Sequence, residues 1–304
     1  MEDKLAALEM ELNDCALPLL VSCILRHEVS LPFRKASPSL QEGIVCATAL
    51  EDGFAGIDVA VLVGARPRGP GMLRKDLLIA NAAIFKSQGQ ALAKYAAASV
   101  RVLVVGNPCN TNALITSTYA AGINPDQITA LTRLDQNRCS GMIASKLGVP
   151  VRDVGGVIIW GNHSATQVPD ATFATTMQNG SSDVVGVASQ VDPEWLSGEL
   201  VSSVQQRGKA VIDKRGSSSA GSAANSICDH LRDWFRGAAG RNVSMVVSTS
   251  GQYGVPSGLF VSLPVKCQGA WQYKVNEDVP MSDEIKALFD ASVEELQQER
   301  AAVL

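Results

Sequence analysis

Several features that mark particular classes of protein are scarce or missing in this chain of 304 residues. The seven cysteines are scattered and lack CxxC spacing, which excludes a disulfide framework and a zinc site and indicates reduced cytoplasmic thiols. A net charge of −4 gives no basic surface, so we expect no nucleic-acid partner. No run approaches the roughly 18 to 20 apolar residues of a membrane span, so we expect no membrane partner. The sequence therefore predicts a cytoplasmic protein without a metal.

Two further scarcities concern chemistry. Histidine occurs only three times, so each imidazole is a candidate for a specific role. No GxGxxG motif follows a predicted strand anywhere in the sequence. Such a turn brings backbone N–H groups and a helix N-terminus onto a pyrophosphate. Its absence removes a main anchor for a dinucleotide.

The composition that remains, 46% hydrophobic and 18% charged, is that of a globular protein large enough for a sizeable core. Buried-strand patterns alternate with helical patterns in the first half, which predicts an α/β domain with a parallel sheet over residues 1–149. We assign strands to 57–63, 100–105 and 127–131, and helices to 3–13, 75–98, 111–121 and 136–147. Residues 24–43 have no sustained period and are predicted to be a disordered insert.

After Val149 the pattern changes, and we predict a second domain of the α+β type over residues 150–304. Strands with hairpin-like turns are separated by two long helices, and an amphipathic helix docks at the C-terminus. The strands are assigned to 154–160, 243–249, 258–264 and 271–275, and the helices to 194–214, 217–236 and 282–301.

One group of residues offers a carboxylate, a guanidinium and an imidazole. Asp135 and Arg138 lie in the segment TRLDQNR, and His163 directly follows the apolar run VIIW and a Gly-Asn pair. A histidine can exchange a proton with an alcohol or carbonyl, and an aspartate on its other ring nitrogen would orient it. An arginine could clamp a substrate carboxylate. The alternative is a solvated helix start and a polar turn residue.

These segments also resemble a known family. VLVGARPRGPGMLRKDLL (61–78), VVGNPCNTNALI (104–115), LTRLDQNR (131–138), VIIWGNHSATQVPD (157–170) and SSSAGSAANSICDHLRDW (217–234) are similar to the malate dehydrogenases of the cytosolic type, within the lactate/malate dehydrogenase superfamily. The resemblance implies an incomplete Rossmann-like sheet domain followed by a substrate domain. It also implies an NAD-dependent enzyme for malate and oxaloacetate that forms a homodimer.

The resemblance implies a role for each matching position. His163 would accept the hydroxyl proton with Asp135 supporting it, while Arg138, Arg68 and Arg74 would bind and polarise the diacid. Asn107 would lie where the nicotinamide and the substrate oxygen meet. Ser218, expected at the start of the second long helix, would line the substrate pocket, with a helix N-cap as the alternative. The positions expected near the cofactor are Asn81, Gln88, Val105, Gly106 and Asn107.

The chain departs from the family pattern in two places. The opening strand of the family and its glycine turn would precede Met1, and residues 24–43 are inserted where the family runs directly from the segment PLL into a strand. We interpret both departures as a gene-prediction error, and we expect the chain as given to bind NADH weakly. Two alternatives follow, a non-catalytic remnant and a dehydrogenase for another 2-hydroxy acid. An arginine at position 68 disfavours lactate, because it would face an apolar group without a partner.

Overall fold

The computed structural model describes residues 47–66, 74–177 and 184–304, without the side chains of residues 74 and 75. The predicted helix over residues 3–13 and the predicted insert over residues 24–43 lie outside these ranges. The first half of the described chain alternates strands and helices, as its hydrophobic pattern predicts. Its helices are α1 (Leu50–Phe54), α2 (Arg74–Tyr95), α3 (Cys109–Tyr119) and α4 (Arg133–Leu147).

A six-stranded sheet is the centre of the described structure. Its first three strands are parallel, and its last three run antiparallel to their neighbours, in the order β1-β2-β3-β9-β10-β11. The strands are β1 (Val59–Leu62), β2 (Arg101–Val104), β3 (Ile128–Ala130), β9 (Asn242–Ser248), β10 (Phe260–Gly269) and β11 (Gln272–Val275). The predicted α/β class with a parallel sheet is confirmed.

The parallel strands form because their runs of branched apolar residues can be buried on both faces. Val102, Val104 and Ile128 are fully buried and join one core with the inward faces of α2 and α3. These two helices approach closely at Gly89, where an added Cβ would lie 2.7 Å from the carbonyl oxygen of Thr116. Gly89 therefore allows α2 and α3 to pack closely against each other.

The sheet differs from the prediction in one respect. Strands β9 to β11, expected to belong to a separate C-terminal domain, extend the parallel sheet instead, with Ala130 paired to Val246. The physical reason is that β3 would otherwise present unpaired N–H and C=O groups along one edge. Residues 243–247 are buried on both faces, as suits a strand inside a sheet. The division at residue 149 stays a prediction.

The rest of the C-terminal half consists of small sheets and long helices around the end of the main sheet. Helix α6 (Gly221–Arg236) begins four residues later than predicted, because helix α5 (Val201–Arg215) ends at a left-handed Gly216 and residues 217–220 form an irregular link. The two small sheets are β4-β7-β8 and β5-β6. Their strands are Val154–Gly155 (β4), Ile158–Trp160 (β5), Val168–Asp170 (β6), Thr175–Met177 (β7) and Val184–Gly186 (β8), and the helices are Val201–Arg215 (α5), Gly221–Arg236 (α6) and Asp283–Val303 (α7).

His230 shows how this half is packed. It is fully buried on α6, its Nε2 lies 3.1 Å from the Thr129 hydroxyl, and its ring meets Trp234 edge to face. Burial and the nearby Arg133 lower the pKa of His230 to about 3, so the imidazole stays neutral at physiological pH. The residue therefore serves packing. Across the described ranges, no helix is both long and apolar enough to cross a membrane.

Gly161 follows β5 and lies directly against helix α7. Its φ is +87°, and an added Cβ would fall on the Ser292 side chain of α7. We predict that Gly161→Ala lowers the free energy of unfolding by about 2 kcal/mol or more, through backbone strain and overpacking. Denaturant titration measures this change in the free energy of unfolding.

Gly208→Ala is the matched control, because Gly208 lies in helix α5 with open space where a Cβ would be. This change should raise the free energy of unfolding by about 0.5–1 kcal/mol. Equal effects of the two substitutions would contradict the packing argument.

Candidate active site

The candidate site lies beyond the carboxyl ends of the parallel strands, where ligands of open α/β sheets bind. Helix α4 starts there, directly after β3, and carries Asp135 in its first turn and Arg138 one turn later. The loop after β5 brings His163 to the same place. This loop is tied to the main sheet because Gly161 and Ser262 of β10 exchange two backbone hydrogen bonds of 3.1 and 2.9 Å.

The structure brings the imidazole, the carboxylate and the guanidinium into one contact chain. Nδ1 of His163 lies 2.6 Å from Oδ2 of Asp135, and Nη1 of Arg138 donates to the other oxygen, Oδ1, at 3.0 Å. The Asp135 side chain is fully buried, whereas those of His163 and Arg138 keep 18% and 13% of their surface exposed. Because Nδ1 faces the carboxylate, Nε2 on the other side of the ring is the nitrogen available to a substrate.

Both pKa values in the pair favour the charged forms. Burial would lower the pKa of His163, but the charge and hydrogen bond of Asp135 outweigh burial and the repulsion of Arg138, and the pKa lies above its usual range. Burial would raise the pKa of Asp135, but His163 and Arg138 together hold it below the usual range. When His163 is protonated, two cations flank one carboxylate, and the excess positive charge favours an anionic substrate.

The predicted pocket serine is one position away from the serine that the structure brings to the site. Nη2 of Arg138 donates to the Ser219 hydroxyl at 3.2 Å, while Ser218 is exposed. The N-cap alternative for Ser218 is wrong, because α6 begins at Gly221 and Ala220 occupies its N-cap position. The assignment of Ser218 to the substrate pocket, which the family resemblance implies, stays a prediction.

The turn after β2 carries three of the predicted cofactor positions. Val105 is half-buried, Gly106 is buried, and Asn107 is exposed beyond the strand. An added Cβ at Gly106 would lie 2.9 Å from Cβ of Ala65 and 3.0 Å from the Phe85 ring. Protein packing alone therefore requires glycine at 106, and Asn107 offers the accessible amide.

Asn81 and Gln88, both on α2, differ in what their amides do. Asn81 is fully buried and closes a ring with Arg66, whose N–H donates to Asn81 Oδ1 at 2.7 Å and whose carbonyl accepts from Nδ2 at 3.3 Å. It therefore anchors the backbone before residues 67–73. The Oε1 atom of Gln88 is buried and has no hydrogen-bond partner in the described part of the chain, so it is a free acceptor.

The remaining two predicted arginines have no described side chain. Arg68 lies outside the described residues, and Arg74 is the first residue of α2. Their assignment to the substrate stays a prediction. Sequence reasoning missed Asn110, whose side chain accepts from the His163 N–H at 3.0 Å. Asn110 lies within the matching segment at 104–115, but its partner is 53 residues away, and no local pattern indicates such a contact.

Two protein-family models match consecutive parts of the chain: the lactate/malate dehydrogenase NAD binding domain over residues 29–129, and the lactate/malate dehydrogenase alpha/beta C-terminal domain over residues 132–304. The chain belongs to the lactate/malate dehydrogenase family.

Individual relatives agree with this assignment. Cytoplasmic malate dehydrogenase of Caenorhabditis elegans is 46% identical over 292 residues, which are 95% of this chain and 80% of that protein. The crystal structure of malate dehydrogenase from Naegleria fowleri is similar with a TM-score of 0.84 and 42% identity, over 99% of this chain and 84% of that one. Trichomonas vaginalis lactate dehydrogenase, solved in complex with NADH and oxamate, has a TM-score of 0.85 and 32% identity, over 99% and 85% of the two chains.

The pair of Asp135 and His163 leads to a prediction on titration. Asp135→Asn should lower the pKa of His163, because the imidazolium loses its counter-charge while Arg138 still repels it. NMR titration of the imidazole measures this, and with three histidines in the chain His163→Asn assigns the signal. An unchanged His163 pKa in Asp135→Asn would mean that the contact does not stabilise the imidazolium.

Proposed function

We propose that the protein is an NAD-dependent malate dehydrogenase that interconverts malate and oxaloacetate in the cytoplasm. The observation that carries the proposal is the contact chain from Arg138 through Asp135 to His163, with a carboxylate buried between two cations. The match to malate dehydrogenases across nearly the whole chain supports the substrate. The cytoplasmic relatives support the compartment, and by family resemblance we expect a homodimer.

The cofactor assignment rests on chemistry in the described residues as well as on the family. Asn107 presents an exposed amide at the carboxyl end of β2, and Gln88 on α2 has the acceptor Oε1, which has no hydrogen-bond partner among the described residues. Both fit the carboxamide of a nicotinamide, which has donors and an acceptor. When bound, NAD(H) supplies or accepts the hydride. The relative crystallised with NADH supports the same assignment.

The side chains of this protein then supply position and a proton. Arg138 has five N–H donors, of which two contact Asp135 and Ser219, so donors remain for a substrate carboxylate. A 2-oxo acid held in this way would present its carbonyl oxygen to Nε2 of His163. Protonated His163 gives its proton to that oxygen during reduction, and neutral His163 takes the hydroxyl proton during oxidation. Asp135 stabilises the imidazolium form throughout.

A second candidate is a dehydrogenase for a monoacid, since a lactate dehydrogenase is 32% identical to this chain. The test is therefore a comparison of oxaloacetate with pyruvate, each at saturating NADH. We expect a higher kcat/KM for oxaloacetate. A higher kcat/KM for pyruvate would mean that the protein is a lactate dehydrogenase and not a malate dehydrogenase. No turnover of either substrate would favour the non-catalytic alternative. The weak NADH binding expected from the sequence stays a prediction, which fluorescence titration of the same protein measures.

The acid/base role of His163 predicts a large loss of turnover. His163→Asn should lower kcat for oxaloacetate by about 100-fold or more, the usual contribution of a positioned proton donor. NADH affinity should stay close to that of the original protein, because Asn107 and Gln88 are untouched. A normal kcat in this substitution would remove His163 from the mechanism.

The two directions of the reaction should respond oppositely to pH. Oxaloacetate reduction needs protonated His163, so its kcat/KM should be level at low pH and fall as the pH rises through the His163 pKa. Malate oxidation needs the neutral imidazole, so its kcat/KM should rise over the same pH interval. Because the His163 pKa lies above its usual range, both changes should occur above the pH at which a free histidine titrates. Parallel pH profiles would contradict the assignment.

A further inference from the structure

The structure points to a positioning residue outside the group that contacts substrate. We propose that Asn110, through its side-chain amide, positions His163 for proton transfer, an inference that rests on the proposed function. Asn110 is fully buried in the first turn of α3. Three residues earlier on the same segment lies Asn107, the amide assigned to the cofactor side.

The amide of Asn110 joins three separate pieces of backbone. Its Oδ1 accepts from the N–H of His163 at 3.0 Å. Its Nδ2 donates to the carbonyl of Gly161 at 3.3 Å and to the carbonyl of Phe260 at 3.0 Å. The histidine backbone, the preceding turn and strand β10 are thereby held by one rigid side chain, and the direction of the imidazole follows from the backbone that carries it.

Strand β10 also holds Asp135 in place, through hydrogen bonds of Thr132. The Thr132 hydroxyl, at the N-cap position of α4, lies 2.7 Å from the Ser262 hydroxyl on β10, and the carbonyl of Thr132 accepts from the N–H of Asp135 at 3.1 Å. Asp135 is therefore fixed to β10 through Thr132, and His163 is fixed to β10 through Asn110. The 2.6 Å contact between them results from this closed set of hydrogen bonds.

Removing the Asn110 amide should act on the reaction more than on substrate binding. It would leave the N–H of His163 without this acceptor and would remove one donor from each of the carbonyls of Gly161 and Phe260, and the histidine loop would shift to relieve that cost. A shift of about 1 Å in a reacting group costs on the order of 10- to 100-fold in rate. Arg138 is held by α4 and not by Asn110, so the KM for oxaloacetate should change much less than kcat.

The experiment compares Asn110→Ala with Thr116→Val in the full-length chain. Thr116 is buried on the same helix, and its hydroxyl bonds only to the carbonyl of Asn112 among the described residues, so Thr116→Val matches the burial without the histidine contact. For Asn110→Ala we expect kcat for oxaloacetate to fall about 10- to 100-fold. The His163 pKa from NMR should move down towards that of a free histidine, because Asp135 is then farther away and Arg138 still repels. Thr116→Val should change neither quantity.

The two readouts separate this inference from the proposed function. The NMR titration requires no turnover, so it tests the positioning of His163 independently of activity. If the His163 pKa is lowered in Asn110→Ala but the unsubstituted protein does not reduce oxaloacetate, the positioning is supported and the proposed function is refuted. Unchanged kcat and unchanged His163 pKa in folded Asn110→Ala would overturn the inference. Equal losses in Thr116→Val would also overturn it, because the effect would then be general destabilisation. If Asn110→Ala does not fold, Asn110→Ser, with a smaller cavity, is judged by the same criteria.

Discussion

The contact between Asp135 and His163 is the constraint on which the described site depends. A fully buried carboxylate costs several kcal/mol in desolvation unless it is paired in good geometry. Asp135 meets this cost with Arg138 on one oxygen and His163 on the other, and with a place in the first turn of α4, where the helix dipole favours a negative charge. Each partner must therefore be held within about 3 Å by a different part of the fold.

The mixed sheet supplies this precision. Helix α4 leaves the carboxyl end of the parallel strand β3, while the loop of His163 is bridged to the antiparallel strand β10, two positions away in the same sheet. Because β9 pairs with both β3 and β10, the two halves of the site share one hydrogen-bonded framework. If the sheet were confined to the first half of the chain, no shared hydrogen-bonded framework would fix the distance between His163 and Asp135.

The local sequence pattern could predict the elements that depend only on residues close together in the chain. The strands around Val102 and Ile128 and the α-helix between them follow from apolar runs bounded by glycine and proline, and their type was assigned correctly. The sheet membership of β9 was not predictable, because its pattern indicates only a buried strand and not its neighbour. The same limit applies to the contact between Arg138 and Ser219, because residues 217–219 are all serines and no local pattern indicates which of them Arg138 contacts.

A catalytic group on a loop is rigid only if the loop is held from more than one side, and the C-terminal helix provides the second side. The Ser292 hydroxyl of α7 accepts from the N–H of Asn162 at 2.8 Å, beside the N–H of His163 that Asn110 binds. The Glu295 carboxylate accepts from the side chains of Asn162, at 2.9 Å, and Ser164, at 2.6 Å. Two consecutive N–H groups are thus bound by side chains of two different helices. An added Cβ at Gly161 would fall on the Ser292 hydroxyl oxygen, so the absence of a side chain at residue 161 is what lets α7 bind the loop that carries the imidazole.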